Sequence, residues 1–92
     1  MITAKLKDGF TVELDENFLD DSDLIEAMTK MGEDPANFFF LRDRMLTPED
    51  KKRLYDHLRN EKGIVPLTVL DAALNELLES FKAGKNSASS SD

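Results

Sequence analysis

The chain has no cysteine, so it can form neither a disulfide nor a thiolate metal site, and a reducing compartment is compatible with that absence. It has a single histidine, His57, which restricts any imidazole chemistry to one position. No apolar run approaches the roughly 20 residues that a helix needs to cross a bilayer. The opening Met1-Ile2-Thr3-Ala4-Lys5 lacks the apolar centre of a secretion signal, which points to a protein that stays in the cytosol where it is made. Positive charge is also scarce. Twelve Lys and Arg stand against 19 Asp and Glu, a net charge of −7. Such a surface repels phosphate backbones and anionic lipid, so nucleic acid and membrane are not expected partners. It keeps a sticky protein soluble, or suits a basic partner.

At 92 residues there is room for one core, and with 40% hydrophobic and 34% charged residues the chain is globular in composition. Residues 2–14 alternate around a turn signal. Ile2, Ala4 and Leu6 share one side of the first run, and Phe10, Val12 and Leu14 share one side of the second, with Asp8-Gly9 between them. Asp-Gly flanked by period-2 apolar residues predicts a β-hairpin, which must lay its apolar face on helices to be stable.

Four helices are expected after it. The first covers about residues 21–31, with acids at its start and with Leu24, Ile25, Met28 and Met31 on one face, and Gly32 ends it. Asp34-Pro35 caps and opens the second, about 35–46. Thr47-Pro48-Glu49-Asp50 opens the third, about 48–60, whose narrow stripe of Leu54, Tyr55 and Leu58 suits a helix lying on the surface. Gly63 and Pro66 mark the turn and extended link to the fourth, about 67–82. Leu67, Leu70, Leu74, Leu77, Leu78 and Phe81 stripe that helix, and Ala72 and Ala73 add helix propensity and allow close packing. Residues 83–92 contain nothing to bury and read as a disordered tail. The expected fold is therefore α+β, a hairpin packed on a mostly helical bundle.

The second helix carries Phe38-Phe39-Phe40, three of the six phenylalanines. Neighbours on a helix are about 100° apart, so the three cannot share one face. A fully buried Phe is worth roughly 1.5–3 kcal/mol, so one left in water needs a reason. One or two are expected in the core and one outside. Phe38, Phe39, Phe40, Met45 and Leu46 form the candidate partner-binding set, because aromatic and Met side chains make good anchors.

No catalytic, cofactor or metal site is expected. His57 has no nucleophile or orienting group at a defined spacing in the sequence. Asp20-Asp21-Ser22-Asp23 lacks the alternating ligands of a calcium loop, and a helix start explains it. With Gly63 at the sixth position of such a loop, the ligand positions Leu58, Asn60, Lys62 and Val69 include three that cannot coordinate calcium. Lys51, Lys52, Arg53, Arg59 and Lys62 alternate with Glu49, Asp50, Asp56 and Glu61, a solvated face with i,i+4 pairing rather than a DNA-reading helix.

The order of parts does carry a resemblance. A strand pair is followed by the acidic entry Leu19-Asp20-Asp21-Ser22-Asp23-Leu24-Ile25-Glu26 and two further helices. Then Leu54-Tyr55-Asp56-His57-Leu58-Arg59-Asn60-Glu61-Lys62-Gly63-Ile64-Val65-Pro66 leads into an apolar last helix. This resembles the small tail assembly chaperones of long-tailed bacteriophages and prophages of Gram-positive bacteria, over about residues 5–82. The resemblance implies a non-enzymatic protein of the host cytoplasm. It would coat the hydrophobic tape measure protein during tail assembly and leave before the virion is mature. It also implies self-association and a longer frameshifted form as further partners. The rival readings are a structural head–tail or tail component that stays in the particle, and an acidic inhibitor that mimics DNA.

Overall fold

The hairpin forms where Asp8-Gly9 places it, but with a three-residue loop. The computed structural model describes the backbone of residues 1–90 and the side chains of residues 1–84. Strands β1 (Ile2–Lys5) and β2 (Thr11–Leu14) pair antiparallel, with Ile2 opposite Leu14 and Ala4 opposite Val12. Lys7, Asp8 and Gly9 make the loop. The Gly9 N–H donates to the Leu6 carbonyl at 3.0 Å, and the Leu6 N–H to the Phe10 carbonyl at 2.8 Å. Gly9 has φ +101°, a value that side chains resist, so the turn requires glycine there.

The inner face of the hairpin, Ala4, Leu6, Val12 and Leu14, is buried against α4 (Leu67–Ser90). Backbone N–H groups that point away from β2 are satisfied by α4, one at the end of β1 and one in the loop after it. Ser80 Oγ accepts from Lys5 N at 3.0 Å, and Glu76 Oε1 from Lys7 N at 3.0 Å. The approach is close. A Cβ on Gly84 would come 2.9 Å from Ile2 Cγ2. The helix thus continues beyond the end expected near residue 82, and Ala83 and Gly84 belong to it. The backbone of residues 85–90, also part of the expected disordered tail, continues α4, and residues 91 and 92 lie outside the described residues.

Helices α1 (Ser22–Thr29), α2 (Pro35–Met45) and α3 (Pro48–Leu58) start on local chemistry. Asp21 accepts from the backbone N–H groups of Asp23 and Leu24, Asp34 from Ala36, and Thr47 from Asp50. Pro35 and Pro48 occupy first-turn positions, where no N–H is needed. α1 ends at Thr29, before Gly32, because the Lys30 N–H turns back to the Ala27 carbonyl and Glu33 N to the Lys30 carbonyl. Its inner face is Leu24, Ala27 and Met28, with Met31 packed on the core just beyond it, so of the expected Leu24, Ile25, Met28 and Met31 it is Ile25 that points away. Ile25 is 42% exposed.

The chain is α+β. α1 packs on α2, α3 packs between α2 and α4, and the hairpin lies along α4. Phe81 is at the centre, fully buried, and the ring of Phe18 meets it edge-on with centroids 5.5 Å apart. Leu24, Leu41, Leu54, Leu74 and Leu77 complete the core. Phe18 sits on a short 3-10 turn, Phe18–Asp20, that links β2 to α1. Among the described residues no helix is long and apolar enough to cross a membrane.

Candidate protein-interaction cleft

The three consecutive phenylalanines of α2 point three ways, as a 100° step requires. Phe38 is 8% exposed and belongs to the core. Phe40 is half-buried on the α1 side, by Ala27 and Lys30. Phe39 is 36% exposed, and its ring meets that of Phe38 edge-on at 5.4 Å.

Each ring that is not buried has an arginine over it from one turn later. The Arg42 guanidinium lies 4.8 Å from the Phe39 centroid, and that of Arg44 lies 5.0 Å from the Phe40 centroid. Such contacts are worth about 0.5–1 kcal/mol each at exposed sites. They supply the reason for aromatic surface that burial does not. Both arginines are held in place. Arg42 Nη1 donates to the Tyr55 hydroxyl at 2.8 Å and Nε to Asp43 Oδ1 at 2.9 Å, and Arg44 pairs with Asp21 at 3.1 Å. The Asp43 carboxylate raises the Arg42 pKa, and Arg42 in turn lowers that of Asp43.

Phe39 faces a cleft of about 500 Å³. The turn between α1 and α2 supplies Met31, Glu33 and Asp34, α2 supplies Pro35, Phe38 and Phe39, and the start of α4 supplies Leu67, Thr68 and Asp71. Leu67 is 57% exposed and sets an apolar side chain on the α4 wall beside the polar Thr68 and Asp71. That volume falls within the range of ligand-binding clefts. No protein-family model, curated protein or solved structure matches the chain.

The five sequence-derived residues separate on this geometry. Phe39 lines the cleft as an exposed group, with Phe38 as its floor. Met45 and Leu46 are buried at 4% and 5% and are core side chains, a correction to their expected place on a partner surface. They sit where α2 ends and the chain bends into α3, and both are enclosed. Phe40 faces a different hollow. Leu67 was expected in the buried stripe of α4, and Met31 on the α1 face. Leu67 opens its helix next to Pro66, and the first residue of a stripe has no preceding turn of its helix beside it.

His57 does gain a carboxylate partner. Its Nε2 lies 2.7 Å from Asp8 Oδ2, and its ring lies 4.7 Å from that of Phe10 at 30°. Arg53 covers Phe10 at 5.0 Å and donates to the Thr11 carbonyl at 3.2 Å. The cluster docks the hairpin tip on α3. Among the described residues Asp8 is the side-chain hydrogen-bond partner of the His57 ring. The other polar features of the sequence resolve as local structure. Asn60 Oδ1 accepts from the N–H groups of Lys62 and Ile64 and is spent inside its own loop. The cations of α3 pair at i,i+3, Arg53 with Asp50 and Arg59 with Asp56, one residue closer than expected.

Proposed function

We propose that this chain is a non-enzymatic tail assembly chaperone of a long-tailed bacteriophage or prophage, which binds the tape measure protein and keeps it soluble while the tail forms. The observation that carries the reading is the pair Phe39 and Leu67, large apolar side chains exposed on facing walls of one cleft. A chaperone that holds long helical segments needs apolar anchors at its surface, and enough charge that the complex does not precipitate. The net charge of −7 supplies the second requirement. The order of strand pair, acidic helix entry and apolar last helix, noted in the sequence, supports the same reading. Its place of action is the cytoplasm of the bacterial host, with the protein absent from the finished virion.

The reading expects a long, coiled, Ala-rich tape measure protein to be encoded downstream, and the test is co-expression with it. That protein is expected to stay soluble and to co-purify with this chain, and to precipitate without it. Finding this chain in purified particles would sink the chaperone reading in favour of a tail component.

A further inference from the structure

We propose that the Phe39–Leu67 cleft selects a cationic amphipathic helix, with apolar anchors seated between α2 and α4 and with Lys or Arg beside them. This rests on the chaperone reading and adds a charge requirement to it. The floor and walls, Met31, Phe38, Phe39 and Leu67, supply apolar contact. The rim is acidic. Glu33, Asp34 and Asp71 line it, no Lys or Arg stands among the described lining residues, and Arg42, which lies over the Phe39 ring, is neutralised by its pair with Asp43 at 2.9 Å. Two helix starts also face the cleft, Pro35 of α2 and Leu67 of α4. Each carries about half a positive charge, together roughly +1, which three carboxylates outweigh. Asp34 spends one oxygen on the α2 cap and Asp71 one on the Asn75 amide, which donates to it at 3.4 Å, so each keeps one oxygen for a cation, and Glu33 is exposed.

The same charge excludes the other occupants. A second copy would bring its own acidic rim against this one, since a two-fold contact opposes like surfaces, and would add another net −7. Phosphate-bearing polymers and anionic lipid meet the same repulsion. An amphipathic helix presents apolar side chains one turn apart, one for each of two apolar walls. Lys or Arg next to those anchors satisfies the rim, which sets specificity and approach rate while the apolar walls set retention.

Two synthetic peptides of about 18 residues test this, long enough to form helix on binding. One is an amphipathic Leu/Lys sequence, and the other is the same sequence with Glu in place of Lys. Titrated against the full chain at low salt, the Leu/Lys peptide is expected to bind at least roughly tenfold more tightly, a gap of about 1.4 kcal/mol. The double variant Glu33→Lys, Asp71→Lys is expected to abolish or reverse that preference, and Leu67→Ser to weaken Leu/Lys binding about tenfold. Unchanged melting curves establish that each variant is folded. If Phe39→Ser unfolds, Leu67→Ser decides. Equal affinity for the two peptides, or a preference that survives the charge reversal, overturns the proposal. If the downstream protein co-purifies with the double variant and with Leu67→Ser as with wild type, the cleft assignment fails and the chaperone reading stands. If the Leu/Lys peptide binds as expected but the downstream protein does not, the cleft stands and the chaperone reading fails.

Discussion

His57 Nε2 lies 2.7 Å from Asp8 Oδ2, joining the hairpin tip to α3 across 49 positions of sequence. The His57 hydrogen bond, with a second from the Phe10 N–H, holds the Asp8 carboxyl below its ordinary pKa. A carboxyl with a lowered pKa stabilises the fold above its unfolded value, near 4, and that contribution is lost as pH falls through the folded value. Asp8→Asn is therefore expected to lower the melting temperature slightly at neutral pH, with the two curves converging as pH falls through the lowered folded value. Thermal melts of the two proteins from pH 7 to about pH 2 check this. A gap that stays constant across that range means that the contact does not contribute.

Phe38 and Phe39 are neighbours with opposite consequences. Phe38→Ser removes a core ring and adds a hydroxyl, and is expected to cost about 3–5 kcal/mol. Phe39→Ser removes a partly exposed ring and its contact with Arg42, about 1 kcal/mol. Urea unfolding of both variants separates them. The binding loss is expected only where the fold survives, in Phe39→Ser. If Phe39→Ser costs as much as Phe38→Ser, the ring is core and the partner face lies elsewhere.

Asp21 has two roles that one pair of substitutions can divide. It caps α1 and pairs with Arg44. Asn caps as well as Asp but carries no charge. Asp21→Ala is expected to cost about 1–2 kcal/mol and Asp21→Asn only a few tenths, as measured by urea denaturation. Equal losses would assign the whole effect to the ion pair.

Arg42 reaches Asp43, Tyr55 and the face of Phe39 at once. Lysine keeps the charge but not the planar fork. Arg42→Lys is expected to lose about 1 kcal/mol, most of what Arg42→Ala loses, in equilibrium unfolding. Full retention of stability by lysine would reduce the contact to simple charge.

What could be read from the sequence was local. Asp8-Gly9, Asp34-Pro35 and Thr47-Pro48 each act within a few residues, so the hairpin and two helix starts fell where expected. The stripe from Leu70 to Phe81 is buried because a strict period leaves a helix one way to face its neighbours. Ile25 could not be placed this way. Leu24 and Ile25 are adjacent, and the tilt of α1 on α2 chose Leu24 and Ala27. The cleft was beyond reach for a similar reason. Met31, Phe39 and Leu67 come from three segments, and only the packing of α4 brings the last beside the others. Phe18 also escaped notice. It is a lone aromatic in an acidic stretch, and its role depends on Phe81, at the far end of the chain.

The bonds from Lys5 to Ser80 and from Lys7 to Glu76 tie the first strand to the last helix. A ribosome delivers these parts in the wrong order for early folding. When the hairpin emerges, its apolar side has nothing to rest on, and it waits for most of the chain to be made before Leu77 and Phe81 arrive. Contacts this distant in sequence slow folding, because a long loop must close first. The nascent protein therefore carries exposed apolar strands of its own until Leu77 and Phe81 have emerged.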